Sequence, residues 1–247
     1  MNTIILNKSK IHEGNLILVN ADYPLQEENT DELVPAGMDH PNMLLRRSAA
    51  NVLQTVLEKT SAGKKIVPVS GYRSMAEQQQ IYNDSLKENG AEFTKKFVAL
   101  PGHSEHQTGL AIDLGLYSDH IDFICPDFPY NGICEVFRKA APGYGFVERY
   151  PAEKETVTGI AHEPWHFRYV GFPHSEIMTD KKLTLEEYSD FIKKYTAEQP
   201  LIYRGIGIYY VPVHGDAAGI CFPEGPIYQI SGNNIDGFVV TIWRKGQ

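Results

Sequence analysis

Two stretches of the chain concentrate side chains that bind metals and move protons. One is Gly102-His103-Ser104-Glu105-His106-Gln107-Thr108-Gly109-Leu110-Ala111-Ile112-Asp113-Leu114, and the other is His162-Glu163-Pro164-Trp165-His166. His106, Asp113 and His166 supply two imidazoles and one carboxylate, ligand types that borderline Zn²⁺ accepts when a fourth position is left for water. The set reads as one catalytic zinc site. Glu163, three residues before His166, then stands where a general base would take a proton from the activated water. Taken singly, any one of the nine histidines is more often a surface or hydrogen-bonded residue. The combination carries the argument.

Spacing decides which elements must position these groups. On one helix His106 and Asp113 would be separated by about 10.5 Å of axial rise, which is awkward for two ligands of one ion. Gly109 interrupts the stretch, so we read a loop carrying His106 that runs into a strand carrying Asp113. The second stretch matches H-E-x-x-H, a motif that needs both histidines on one helix face. Pro164 argues against it by pushing Glu163 towards extended backbone, and Trp165-His166-Phe167-Arg168-Tyr169-Val170 has strand-like content. His162 is left without a ligand role.

Further along this reasoning, Lys65–Val69 reads as a strand delivering Ser70-Gly71-Tyr72-Arg73. Ser74 and Glu77 form a capping-box pattern that opens a helix, with Gly90 just past its end. A guanidinium at such a strand-to-helix turn could face a developing oxyanion. On residues alone, a salt bridge from Arg73 to a surface carboxylate accounts for it at least as well.

Ser104-x-His106 followed by Asp113, then Glu163-x-x-His166, resembles the zinc D,D-peptidases of the lysostaphin, D-alanyl-D-alanine carboxypeptidase and hedgehog superfamily. Ser70-Gly71-Tyr72-Arg73-Ser74 and Tyr144-Gly145-Phe146-Val147-Glu148-Arg149-Tyr150-Pro151 look like the VanY carboxypeptidases, as does Thr158-Gly159-Ile160 leading into Glu163-Pro164-Trp165-His166-Phe167-Arg168-Tyr169-Val170-Gly171. The match spans roughly residues 40 to 195 and looks most like the soluble VanXY type. The resemblance implies hydrolysis of D-Ala-D-Ala, as free dipeptide or at the end of the peptidoglycan precursor pentapeptide, in vancomycin resistance or cell-wall metabolism. It also implies one catalytic Zn²⁺ on His106, Asp113 and His166, with Glu163 as base and Arg73 on the oxyanion. Ser104 and Gln78 match positions that hold the substrate's terminal carboxylate. Alternatives from other classes are an endolysin-like L,D-peptidase, a zincin endopeptidase using His162, and a non-catalytic zinc-containing recognition module.

The 247 residues carry a net charge of −8, which disfavours nucleic acid or an anionic membrane surface as the main partner. A small-molecule or peptide substrate is expected, and oligomeric state is left open. No stretch approaches the about 18 apolar residues of a membrane span, and the first residues lack a signal-peptide core, so the expected location is cytoplasmic. Cys125, Cys134 and Cys221 form no C-x-x-C pair and read as free thiols.

The remaining elements are scaffold. Leu45, Ala49, Val52, Leu53, Val56 and Leu57 recur at helical spacing, with Pro41 as the first helical residue. Tyr117 to Pro129 reads as an acidic, aromatic loop with a possible lid function, and Gly132 to Ala141 as a short helix. Tyr144–Tyr150 should pair beside Trp165–Val170. Thr184 and Glu187 open a helix, through Tyr195, that closes the catalytic unit. Residues 206–213, 227–230 and 238–243 read as strands. The expected fold is α+β, a central antiparallel sheet flanked by helices. Residues 1–199 would form the catalytic domain and 200–247 a β-rich appendage packed on it.

Overall fold

A computed structural model describes residues 2–222 and 225–243 of the chain. Among these, no helix is long and apolar enough to cross a membrane. The fold is α+β, and it divides into two compact units: Val19–Thr184, and Met1–Leu18 together with Leu185–Gln247.

The Val19–Thr184 unit is built on a four-stranded antiparallel sheet ordered Ile66–Ser70, Ala111–Leu116, His166–Tyr169, Phe146–Glu148. Pro68 lacks a backbone donor and sits, as that requires, on an edge strand. Beside it the register shifts between Pro68 and Ser70, so that Ser70 falls opposite Asp113. Such a bulge re-aims the residues that follow it. Those residues are Gly71, Tyr72 and Arg73.

Helix Arg47–Lys59 buries Ala49, Ala50, Leu53 and Val56, one stripe at helical spacing, in a core shared with Ile112, Leu114 and Phe167. Phe128, Phe137 and Phe167 meet edge to face in that core, with centroids 5.1 to 6.0 Å apart. The helix does not begin at Pro41. Leu44–Arg46 is instead a strand paired with Leu33–Pro35; its Leu44 carbonyl accepts from the Tyr72 N–H at 2.7 Å and its Arg46 N–H donates to the Gly109 carbonyl at 2.8 Å. Those bonds need extended backbone, and they override the local helical pattern. The capping box expected at Ser74 and Glu77 is present and opens helix Met75–Glu88, after which Gly90 at φ +82° begins a further helix, Gly90–Phe97. Residues 117–129 form a loop.

The other unit holds a second four-stranded antiparallel sheet, ordered Ile227–Gly232, Gly237–Trp243, Ile206–Pro212, Leu201–Tyr203. The three expected strands are there. The Asn2–Asn7 strand pairs with Ala217–Phe222, a strand not foreseen from the sequence. Ser231 Oγ accepts from the Leu16 N–H at 2.9 Å, and helix Leu185–Ile192 belongs to the same unit, with the Tyr210 N–H bonded to the Tyr195 carbonyl at 2.9 Å. The compact division therefore differs from a boundary at 199/200 and from a helix closing the catalytic unit. Strand pairing across more than two hundred residues joins the N-terminus to Ala217–Phe222, and the Tyr195 carbonyl ties the segment after the helix to strand Ile206–Pro212.

Candidate active site

Three strands place the central groups in one row. Ser70 pairs with Asp113, and Asp113 with His166, so their side chains lie side by side on one face of the sheet. His106 arrives from the loop, on a short 3₁₀ turn, Glu105–Thr108, that ends at Gly109 with φ +68°. There a Cβ would stand 2.8 Å from the Leu33 side chain, so glycine both turns the chain and lets the neighbour in. Ligand atoms of His106, Asp113 and His166 all lie within 4.8 Å of one another, and all three residues are buried.

The donor set fits a metal ion. His106 Nδ1 is 2.7 Å from the Gly71 carbonyl, which only accepts, so Nδ1 carries the hydrogen and Nε2 turns its lone pair to the trio, 3.1 Å from Asp113 Oδ2. Gly71 is suited to this post because a Cβ there would stand 2.4 Å from the Leu44 carbonyl oxygen. His166 is held at the other edge: Nε2 is 3.3 Å from Glu105 Oε2, and Nδ1 is 2.9 Å from Asp113 Oδ1. A carboxylate behind a ligating imidazole is the usual way a protein fixes such a ring.

Electrostatics follow from burial. His106 is pulled down to about 4 by burial and by the Arg73 guanidinium. For His166 burial acts the same way, but hydrogen bonds to Asp113 and Glu105 outweigh it and lift the imidazole to about 9. Burial would raise Asp113, yet the charges and hydrogen bonds of His106 and His166 hold it well below the usual carboxylate range. Glu163 lies with Oε2 3.7 Å from His166 Nδ1, and burial pushes its carboxyl up to about 8 against the opposing pull of His166.

Arg73 reaches the same point from the edge strand's end. Its guanidinium donates to Asp113 Oδ2 at 3.1 Å, to Ser70 Oγ at 2.8 Å and to Gln78 Oε1 at 3.4 Å. Its partner is thus a buried carboxylate of the site and not a surface one. The pocket over this floor is lined by Arg73, Ser104, Tyr150, Glu163 and Trp165, and by Phe123 and Ile124 of the 117–129 loop. Gln78 is fully buried beneath Arg73, with its amide nitrogen donating to the Ala99 carbonyl at 2.8 Å.

Residues 42–172 match the family model described as VanY, D-alanyl-D-alanine carboxypeptidase. A curated relative, the bifunctional D-Ala-D-Ala dipeptidase and carboxypeptidase VanXYC of Enterococcus gallinarum, is 45% identical over 181 residues, 72% of this chain and 95% of its own. The chain belongs to the VanY family. Among solved structures, the vancomycin resistance D,D-dipeptidase VanXYg in complex with a D-Ala-D-Ala phosphinate analogue is 60% identical, with a TM-score of 0.97 over 98% of this chain and 99% of that one. A variant of the D,D-pentapeptidase VanY from a VanB-type cassette, in complex with Zn(II), is 30% identical with a TM-score of 0.59, over 72% of this chain and 99% of that one.

Within this VanY-family site the residues singled out from the sequence meet, and His162, left without a ligand role by the sequence reading, stands outside the trio. Residues 161–165 are not helical, and His162 bonds instead to the Tyr150 carbonyl and faces the Tyr130 hydroxyl. Three contributors escaped the sequence reading. Glu105 is fully buried between Arg149 (2.9 Å to Nε) and Arg168 (3.3 Å to Nη1), and despite burial those charges hold it well below the usual carboxylate range. Its only outward signal is its place inside the Ser104-x-His106 motif. Arg149 and Arg168, fully buried, lie within the VanY-like stretches, but their pairing with Glu105 was not foreseen because that partner lies more than forty residues away.

Proposed function

We propose that this protein is a zinc-dependent D,D-peptidase that hydrolyses the D-Ala-D-Ala bond, both in the free dipeptide and at the C-terminus of the peptidoglycan precursor pentapeptide, and thereby serves vancomycin resistance. The observation that carries the reading is the convergence of Glu163 and Arg73 on the His106, Asp113 and His166 trio at the floor of one pocket. Zn²⁺ held by those three residues would supply Lewis acidity, polarising the scissile carbonyl and making water more acidic. Glu163 takes the proton of the attacking water and returns it to the leaving amine. Its carboxylate, 3.7 Å from His166 Nδ1 and buried at the pocket floor, stands where it can take that proton and hand it on. Arg73 presents a fixed positive charge to the oxygen that gains charge as the bond breaks, held there by Ser70, Gln78 and Asp113.

Ser104, on the pocket wall, anchors the terminal carboxylate of the substrate. Gln78, expected to hold the terminal carboxylate, is instead fully buried with its amide oxygen on Arg73 and its nitrogen on Ala99, and it acts by keeping the guanidinium aimed at the oxyanion. Residues 206–243 contribute no proposed catalytic group. The test is release of D-alanine from D-Ala-D-Ala and from a pentapeptide precursor, with and without zinc, beside an L,D-peptide control. Zinc-dependent release from D,D-substrates is expected. Cleavage of the L,D-peptide alone would reassign the specificity, and an inert, zinc-loaded protein would make the chain a recognition module.

A further inference from the structure

We propose that His162, which is no metal ligand, is a positioning residue for Glu163 and acts through the backbone carbonyl of Tyr150. The inference rests on the peptidase reading above, in which Glu163 moves the proton. Glu163 follows His162 and precedes Pro164 in a segment without regular structure, so no helix or ladder holds its backbone at the entry side. Two backbone bonds hold it: on the entry side its N–H donates to the Tyr150 carbonyl at 3.1 Å, and on the exit side its carbonyl accepts from the His166 N–H at 3.2 Å. The Tyr150 carbonyl oxygen also lies 3.0 Å from His162 Nδ1. A carbonyl only accepts, so Nδ1 carries a hydrogen, and adjacent residues clamp one oxygen from two sides.

Tyr150 needs such a clamp. Its φ of +64° lies in the left-handed region, where a non-glycine residue is strained and stays only when its surroundings over-determine it. Its ring packs on His166, centroids 4.9 Å apart, and lines the pocket. A relaxed Tyr150 would therefore shift both the base and the face of a ligating imidazole.

His162 is itself anchored from outside the pocket. Its ring stacks on that of Tyr130 with centroids 5.9 Å apart, and the Tyr130 hydroxyl, 3.0 Å from Nε2, gives its one hydrogen to Glu148 Oε1 at 2.5 Å. Glu148 is paired with Arg138, whose guanidinium covers the Tyr130 ring at 3.9 Å. The arrangement runs from the cluster of Tyr130, Glu148 and Arg138, through one imidazole and one carbonyl, to the catalytic carboxylate.

The experiment measures kcat, KM and zinc content on D-Ala-D-Ala for wild type, His162→Ala, His162→Asn, His162→Gln and Tyr130→Phe. Misplacing a reacting group by about 1 Å costs up to about 100-fold in rate, so His162→Ala should lower kcat roughly 10- to 100-fold with KM and zinc content near wild type. His162→Asn, whose amide N–H stands where Nδ1–H stood, should recover most of the rate. The longer Gln should not, and Tyr130→Phe should fall in between. Wild-type kcat in His162→Ala overturns the proposal, as do equal losses in Ala and Asn or loss of zinc from either. Should the Ala variant fail to fold, the contrast between Asn and Gln decides in the same way. A wild-type chain inert on D,D-substrates removes the peptidase reading itself, an outcome distinct from an active wild type with an indifferent His162.

Discussion

The chain builds two four-stranded antiparallel sheets and loads them in opposite ways. In one, the row across neighbouring strands is Ser70, Asp113, His166. In the other, the corresponding row is Ile230, Val240, Tyr209, packed into an apolar cluster with Phe238 and Ile220. The ladders are alike, and the side chains decide what each sheet is for. An apolar row gains stability by leaving water, whereas ionised groups lose hydration and remain buried only when paired. The site sheet meets that demand locally. Asp113 is matched by Arg73 and two imidazoles, and Glu105 by Arg149 and Arg168.

The comparison is broken most severely by removing a ligand. His106→Ala, Asp113→Ala and His166→Ala should each take zinc from about one ion per chain towards none, and turnover with it. Metal analysis of the purified variants checks this, and full zinc occupancy in all three would refute the ligand assignment.

Next in size are changes that spare the metal. Glu163→Ala should keep zinc and lose about 10²- to 10⁴-fold in kcat, the usual worth of a positioned proton-transfer group. Arg73→Ala should cost about 10²- to 10³-fold, mainly in kcat, and Arg73→Lys should recover only part because a point charge cannot serve Ser70, Gln78 and Asp113 together. Steady-state kinetics with zinc measured on the same samples separates these effects from simple metal loss. A zinc-loaded Glu163→Ala protein with wild-type turnover would exclude Glu163 as the base.

A smaller effect sharpens the contrast through pH. Without metal, His166 holds its proton up to about pH 9, while His106 is already neutral above about 4. A ligating imidazole must be neutral, so zinc uptake near neutrality expels the His166 proton. The sign follows: apparent zinc affinity rises with pH, by about tenfold per unit up to about pH 9, and falls as pH is lowered. Chelator competition at several pH values measures the slope. A flat profile between pH 6 and 8 would contradict the raised His166.

The smallest effect belongs to the apolar sheet. Ile208→Val, at a fully buried position, should cost about 0.5–1.5 kcal/mol in unfolding free energy and leave zinc stoichiometry unchanged. Denaturant titration and metal analysis of the folded protein check both halves.

The outcomes show which features are local. Gly109 and the spacing of His106 to Asp113 excluded a single helix, Pro164 excluded a helical H-E-x-x-H, and Ser74 with Glu77 marked a helix start. Each depends on backbone chemistry within a few residues, and each is legible from the sequence. Residue types alone likewise nominated two imidazoles and a carboxylate for a metal, and a neighbouring glutamate for a proton.

Tertiary structure decided the rest, because strand pairing and ion pairing are choices among distant partners that no local pattern specifies. Leu44–Arg46 left the helix its apolar spacing suggested, since Tyr72 and Gly109 offered bonds only an extended strand can make. Asn2–Asn7 found Ala217–Phe222 at the far end of the chain, and the N-terminal segment belongs to the same compact unit as Leu185–Gln247. Glu105, one residue before the proposed ligand His106 and without a role in the sequence reading, became the buried counterweight to two arginines and the support of His166. Its cost in desolvation is offset only where all four groups meet, and that meeting exists only in the folded chain.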